Sequence, residues 1–333
     1  MVTAGVSIVL CTFNGKSRLA KTLMHLANQE LNIPCEIVFV DNASSDGTLE
    51  FATNWWQKNG HSNISFHAYQ QPIPGKSYAQ DLGYAKANYQ YLLVCDDDNW
   101  LCATYVQTAY NIMQANPNIG ALGGWCDAAF ESEKPKWFDQ YAKYFAVAKQ
   151  GTESGDITNK KGCLYGAGMV LQKQHWLELK TLGFKHMLSC RKGNKLSSGG
   201  DTEYCYALRL IGYKIWYDEA LYFKHYMTNG RLNLKYLSRL RKAMSASNFV
   251  LRVYKDKLKN RNNTQKTFFN KLLEEVKSKG VKQLKRSIWG TFEEKEIAKE
   301  YFRNWYRFLF CYTTYNAHKR MLNAWLENRN GNK

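Results

Sequence analysis

No stretch of this sequence comes near the ~20 consecutive apolar residues that a bilayer-spanning helix needs. The N-terminal MVTAGVSIVLCTFNG has neither a positive leader nor a small-residue cleavage site. Its apolar run reads as a first strand, and the expectation is a protein inside the cell. The nine cysteines include no CxxC pair. Cys11, Cys95 and Cys205 lie in or beside apolar stretches, as small buried hydrophobes do in a reducing compartment, so neither a disulfide framework nor a zinc site is expected. There is no internal repeat and no low-complexity segment. Acidic charge is scarce at one end only. Residues 230–333 hold 25 Lys and Arg against 8 Asp and Glu, whereas residues 1–229 hold 21 against 20, so nearly all of the +18 net charge lies in the last third. That asymmetry predicts a boundary near residue 230.

What is present is a core. Hydrophobic residues make up 45% of the chain, enough for one large α/β domain with an appendage. VSIVLCTFNG (6–15), CEIVFVDNASSDGT (35–48), ISFHAYQ (64–70) and YLLVCDDD (91–98) read as strands, with helical spacing between them. Alternating strands and helices predict a parallel doubly wound sheet over the first ~100 residues. Residues 101–230 predict short glycine-containing strands, a helix over KQHWLELKTLG, a Gly/Ser/Lys loop at 190–200, a helix over DTEYCYALRLIG, and one or two strands in YKIWYDEALYFKHYM.

In such sheets ligands bind beyond the carboxyl ends of the strands, and polar clusters fall there. Thr12 and Asn14 follow the first strand, Asp41 and Asn42 the second, and Asp96, Asp97 and Asp98 the fourth. Three adjacent carboxylates repel one another, and each is costly to desolvate without a partner. The expectation is a counter-charge from outside the chain, with a divalent cation held by the DxD pair and completed by substrate phosphates. The alternative is a solvated acidic turn. Asp41 can accept a pair of hydrogen bonds from a base edge or from ribose hydroxyls, while Ser44, Ser45 or Asp46 caps the next helix.

VSIVLCTFNG, IVFVDNASSDGT, PGKSYAQDLGYAKA, LLVCDDDNW and GGDTEYCYALRLIGYKIWYDEALYFKH, in that order, resemble the family-2 glycosyltransferases of GT-A fold, including those of bacterial surface-polysaccharide synthesis. The resemblance covers about residues 5–230. It implies an α/β, Rossmann-like, mostly parallel sheet flanked by helices, with a nucleotide half over about 1–100 and an acceptor half over about 101–230. Residues 231–333 would form a helical C-terminal extension. It implies inverting transfer of a sugar from a nucleoside-diphosphate donor, usually uridine-linked, to a glycan or lipid-linked acceptor. Thr12, Asn14 and Asp41 would line the nucleotide pocket, Asp96 would contact the ribose side with Asp97 in the same donor site, and Asp98 would hold Mn2+ or Mg2+, with His225 either completing the metal shell or structural; Lys76 could contact the nucleotide or diphosphate, or be a solvated helix start. Asp201 would be the general base. The family commonly has Glu-Asp where this chain has Gly200-Asp201, which leaves Glu203 as an alternative base, and often has Asn where Asp81 stands. Arg191 and Lys192 could close over the diphosphate, or be a solvated loop. Trp125 could form an acceptor platform, or be core.

The last third is basic and aromatic. Phe302, Tyr306 and Leu309 form one helical stripe, and Trp305, Phe308 and Tyr312 a second. An anionic bilayer surface suits that composition, as does a helical subdomain with a charged outer face. Nucleic acid is not expected, because no nucleic-acid motif accompanies the charge. Two further readings stay open, a nucleotide-sugar transferase with a non-sugar acceptor and a non-enzymatic binding protein led by the basic region.

Overall fold

VSIVLC and CEIVFV are apolar at nearly every position rather than alternately, and strands of that kind must be covered on both faces. In the computed structural model, which describes residues 3–188, 198–261, 265–303 and 311–331, they are β1 (Thr3–Thr12) and β2 (Cys35–Asp41), parallel neighbours. β3 (Ile64–Gln70) and β4 (Tyr89–Asp96) extend the parallel set on either side, in the order β3-β2-β1-β4. Helices α1 (Lys16–Ala27), α2 (Thr48–Asn59) and α3 (Lys76–Lys86) connect them. α1 buries Leu19, Leu23 and Leu26, the i, i+4, i+7 stripe legible in the sequence. α3 approaches the sheet at Gly83, where any Cβ would meet the Val9 side chain at 2.4 Å.

Beyond β4 the sheet takes partners of both directions. β5 (Asn99–Leu101), β6 (Ile119–Phe130), β7 (Gly155–Asp156), β8 (Val170–Gln172) and β9 (Lys214–Met227) bring it to nine strands, with β8 antiparallel to both β4 and β6. YKIWYDEALYFKHYM is one strand, β9, which pairs with β5, β6 and β7. Its β5 register sets Asn99 opposite His225. α4 (Tyr105–Ala115), the short α5 (Phe138–Tyr141), α6 (Lys173–Thr181) and α7 (Gly200–Leu210) complete this region.

The chain separates into two compact units, Met1–Leu232 and Asn233–Lys333. The second consists, among the described residues, of α8 (Leu234–Leu258), α9 (Gln265–Trp289), α10 (Phe292–Arg303) and α11 (Cys311–Gly331). Tyr254, Phe268, Tyr315, Leu322 and Trp325 are buried in it. The Tyr315 hydroxyl donates to Asp256 Oδ2 at 3.0 Å. The outer face of α9 exposes Val281, Leu284, Ile288 and Trp289. Trp305, Tyr306, Phe308 and Leu309, expected in aromatic stripes, lie outside the described residues.

His175 on α6 is buried, with its ring stacked 3.6 Å from that of Tyr213. Burial pushes its pKa down from 6.5 to about 4. Between those values the unfolded chain binds a proton that the folded chain refuses, so stability is full above about pH 6.5 and falls as the pH drops toward 4. Urea unfolding at pH 7 and pH 5 should show a loss at the lower pH that His175→Phe reduces by the uptake of about one proton. An equal loss in both proteins would remove His175 as the cause.

Candidate active site

The three aspartates at the end of β4 each have a cation of this chain. Lys76, the first residue of α3, places Nζ 2.7 Å and 3.0 Å from the two Asp96 oxygens. Arg18 on α1 grips Asp97 with two parallel contacts, Nε to Oδ1 at 2.8 Å and Nη2 to Oδ2 at 2.7 Å. Arg231, in the 3-10 turn Asn229–Arg231 after β9, sets Nη1 2.7 Å from Asp98 Oδ2. Each of the three carboxylates thus has a counter-charge within the chain, beside any that comes from outside it. The sequence alone did not join these residues, because Arg18, Lys76 and Arg231 lie far from the aspartates along the chain.

The three pairs differ in depth. Asp96 is a quarter exposed, as is Lys76. Asp97 is buried and turned inward, and it also accepts from the Thr12 hydroxyl. Gly15 leaves room for that cluster, since a Cβ there would meet Thr12 Oγ1 at 2.1 Å and Asp97 Oδ2 at 2.6 Å. Burial and the neighbouring Asp98 push the Asp97 carboxyl up, against the pull of Arg18. Thr12 and Asp97, expected at the donor site, thus spend their polar atoms on one another and on Arg18. Asp98 is buried and accepts from Asn99 Nδ2 at 3.0 Å, while Asn99 Oδ1 accepts the Asp96 backbone N–H at 2.9 Å.

At the end of β2, Asp41 is 3% exposed, and its Oδ1 has no hydrogen-bond partner among the described residues. A buried carboxylate oxygen left open costs free energy unless something docks on it. Its neighbour Asn42 shapes the wall of that space. Asn42 Nδ2 donates to the Gln71 and Ile73 carbonyls, and Oδ1 accepts the Gly75 N–H at 2.7 Å. Gly75, at φ +148°, turns the chain into α3 and aims Lys76 at Asp96. Asn14 has φ +47°, and its Oδ1 accepts the Ser45 N–H, so it links the β1 and β2 turns. Asp46 accepts from Thr48 and from the Lys16 N–H, joining the starts of α1 and α2. Desolvation pushes its carboxyl up, but these hydrogen bonds together outweigh it and hold the carboxyl below the ordinary range.

Asp201 lies in the first turn of α7, and its carboxylate packs on Gly166, where a Cβ would meet it at 2.3 Å. Residues 166–169 run beside β4, with Gly168 N–H donating to Val94 O and Val94 N–H to Met169 O, which brings Asp201 to the strand-end rim. No hydrogen bond to the Asp201 carboxylate occurs among the described residues. Glu203 is fully buried and accepts from the Met187 and Leu188 N–H groups, at 2.9 Å and 3.1 Å, beside His186. Its role as a substitute base is corrected on that ground, since it clamps the segment before α7. Trp125 donates Nε1–H to Glu219 O and packs on Tyr222. Asp81 is held by Lys180 at 3.0 Å. Arg191 and Lys192 lie outside the described residues.

Could the chain hold a metal here? His225 Nε2 lies 3.4 Å from Asp98 Oδ1, and a carboxylate with a neutral imidazole is a donor set that Mn2+ accepts. Among the described residues no group of three or more His, Cys, Asp and Glu gathers for a metal. Asp98 and His225 fit a divalent cation that takes its other ligands from bound substrate or water.

Acidic, oxygen-rich strand ends on a parallel sheet define a polar-ligand site of the doubly wound α/β class. The sequence profile described as Glycosyl transferase family 2 matches residues 7–173, half of the chain, and the chain belongs to that family. It is 30% identical over 111 residues to the "Cholesterol galactosyltransferase" of Borreliella burgdorferi, a match covering 33% of this chain. It is 24% identical over 132 residues to an "Uncharacterized glycosyltransferase" of Haemophilus influenzae, covering 39% of this chain. The matches span 30% and 51% of those relatives' own lengths. Among solved structures, S. aureus TarS in complex with UDP-GlcNAc aligns with a TM-score of 0.48 at 16% identity, over 68% of this chain and 58% of that one. GalNAc-T7 with UDP, GalNAc and Mn2+ aligns with a TM-score of 0.49 at 17% identity, over 72% and 48%.

Arg18→Gln should leave Asp97 buried and unpaired and lower the unfolding free energy by about 3–5 kcal/mol. The double variant Arg18→Gln/Asp97→Asn should recover part of that loss in denaturant titrations. Wild-type stability in the single variant would show that the pair contributes nothing.

Proposed function

We propose that the chain is a nucleotide-sugar-dependent glycosyltransferase that moves a sugar, with inversion, from a uridine diphosphate donor to the hydroxyl of a glycan or lipid-linked glycan. The observation that carries this reading is the Asp201 carboxylate, which sits at a helix start on Gly166 with no hydrogen-bond partner among the described residues. In the reaction Asp201 takes the acceptor hydroxyl proton as that oxygen bonds to the anomeric carbon. The bond from that carbon to the diphosphate breaks on the opposite face, and the nucleoside diphosphate leaves with the electron pair. A positioned base of this kind contributes typically ~10²–10⁴-fold.

On the donor side, the open oxygen of Asp41 accepts from the uracil N–H edge. Asp96, oriented by Lys76, accepts from the ribose. Asn14 and Asn42 shape the turns around the nucleotide. Asp98 and His225 would hold Mn2+ or Mg2+, which would supply positive charge for the departing diphosphate. A second reading, transfer to a non-sugar hydroxyl, is favoured by the relative named for galactosyl transfer to cholesterol.

The basic helical unit supports docking on an anionic bilayer, where a lipid-linked acceptor resides. Val281, Leu284 and Ile288 fall at i, i+3, i+7 on α9 and are each more than half exposed, Trp289 is 77% exposed, and Lys277, Lys282 and Lys285 share the helix. The same reading makes the protein a peripheral enzyme of the cytoplasmic face of the inner membrane. No helix among the described residues is long and apolar enough to cross one.

Calorimetric titration with UDP, with and without Mn2+, tests the donor. Wild type and Asp201→Asn should bind UDP alike, while the variant loses kcat by ~10²–10⁴-fold. Absence of UDP binding under both conditions, or full activity in Asp201→Asn, would overturn the assignment. For the bilayer, the protein should co-sediment with phosphatidylglycerol vesicles in low salt. Leu284→Asp/Ile288→Asp should abolish this without changing kcat toward a soluble acceptor, and equal sedimentation of the variant would remove α9 as the docking face.

A further inference from the structure

The three cations at the aspartates are not held alike. Arg18 has both arms of its fork on Asp97, and its Nη1 and Nη2 also donate to the Asn14 and Phe13 carbonyls at 2.9 Å and 3.2 Å. Those carbonyls flank the turn that starts α1, so Arg18 is built into the strand end. Arg231 is placed differently. It closes a three-residue 3-10 turn in which Asn229 and Gly230 are exposed, and a Cβ at Gly230 would meet nothing within 4 Å. The turn is tied at its start, where the Asn229 N–H donates to Glu131 Oε2 at 2.6 Å, and Arg231 reaches from its end to Asp98.

One nitrogen of Arg231 does two things. Its Nη1 is 2.7 Å from Asp98 Oδ2 and 3.4 Å from His225 Nε2. Asp98 Oδ2 and His225 Nε2 thus face a single point, and a cationic nitrogen stands on it. Those two donors are also the ones that fit a divalent metal. A metal and a guanidinium cannot share the position, because each needs the same lone pairs and each repels the other.

We propose that Arg231 is the resident cation of the Asp98–His225 pair and yields that position to a divalent metal, so that guanidinium and metal occupy it in alternation. The proposal rests on the metal-dependent reading of the site given above. It explains how the buried carboxylate of Asp98, 3% exposed, stays compensated when no donor is bound. It also makes metal binding conditional. A metal arriving alone must displace the guanidinium, whereas one arriving with a nucleoside diphosphate brings phosphate oxygens that can receive the displaced Arg231. Metal and nucleotide then strengthen one another's binding, as linkage requires.

The test is Mn2+ binding to nucleotide-free protein, followed by the paramagnetic resonance signal of free Mn2+. Arg231→Gln should bind Mn2+ about tenfold more tightly than wild type, because the share of the site held by the guanidinium no longer reduces the apparent affinity. Arg231→Lys, which keeps a cation on the same turn, should fall between them and guards against misfolding of the first variant. Adding UDP should tighten Mn2+ binding strongly in wild type and less in Arg231→Gln. Mn2+ binding in Arg231→Gln and Arg231→Lys that is equal to or weaker than wild type, in proteins with wild-type circular dichroism, would overturn the proposal. Absence of binding in all three proteins would do the same. Asp98→Asn separates this from failure of the underlying reading. If Asp98→Asn binds Mn2+ as wild type does, the metal is not held here and both ideas fall. If it loses Mn2+ while Arg231→Gln is unchanged, the metal site stands and the alternation alone fails.

Discussion

Three carboxylates on consecutive residues at the end of a buried strand are the constraint around which this molecule is arranged. Desolvating any one of them without compensation costs more than a side-chain contact returns. The fold meets the demand with three cations from three directions. α1 supplies Arg18, the start of α3 supplies Lys76, and the turn after β9 supplies Arg231. The positions of those three elements around the carboxyl end of β4 are therefore tied to charge as well as to packing. A gradient follows from depth, from the partly exposed Asp96 to the inward Asp97 and the buried Asp98. The Arg18 guanidinium is tied as well to the Asn14 and Phe13 carbonyls, and the Lys76–Asp96 pair is the most exposed of the three.

The same rim shows how a family site divides its labour. Thr12, Asn14 and Asp97 are polar residues at the strand ends, yet their described contacts are with the protein itself, fastening the turns of β1 and β2 and the start of α1. Asp41 and Asp201 retain carboxylate oxygens without a hydrogen bond among the described residues. That contrast follows from reach. Asp97 lies within reach of the Arg18 guanidinium and the Thr12 hydroxyl, and Asn14 within reach of the Ser45 N–H, whereas no donor among the described residues reaches Asp41 Oδ1.

Much of the fold was legible along the chain. The unbroken apolar runs of β1 and β2 announced buried parallel strands, the leucine spacing of α1 announced an amphipathic helix, and Gly183 and Gly212 closed α6 and α7 in left-handed conformations. The polar strand ends were legible as a group for the same reason, since period and termination are local properties. The region after β4 was less so. Its strands are short, glycine-bearing and paired in both directions, and the three-residue β5 has no periodicity to read. The internal counter-charges were not legible because ion pairing is set by distance in space. Arg18 and Arg231 look like ordinary basic residues until the sheet brings them to Asp97 and Asp98. Glu203 looked like a spare base because it lies two residues from Asp201, but that spacing turns it to the buried side of α7, onto the N–H groups of Met187 and Leu188.

By itself the sequence determined which residue types stand at the strand ends, that the first half of the sheet is parallel, and that basic charge concentrates after residue 230, because composition, periodicity and strand termination are written in neighbouring residues. Only the tertiary structure decided which of those carboxylates are already satisfied and by what. Hydrogen bonds and ion pairs act over about 3 Å, and the antiparallel register that sets Asn99 opposite His225, and so brings Asp98 to His225 and Arg231, is a property of two strands more than a hundred residues apart.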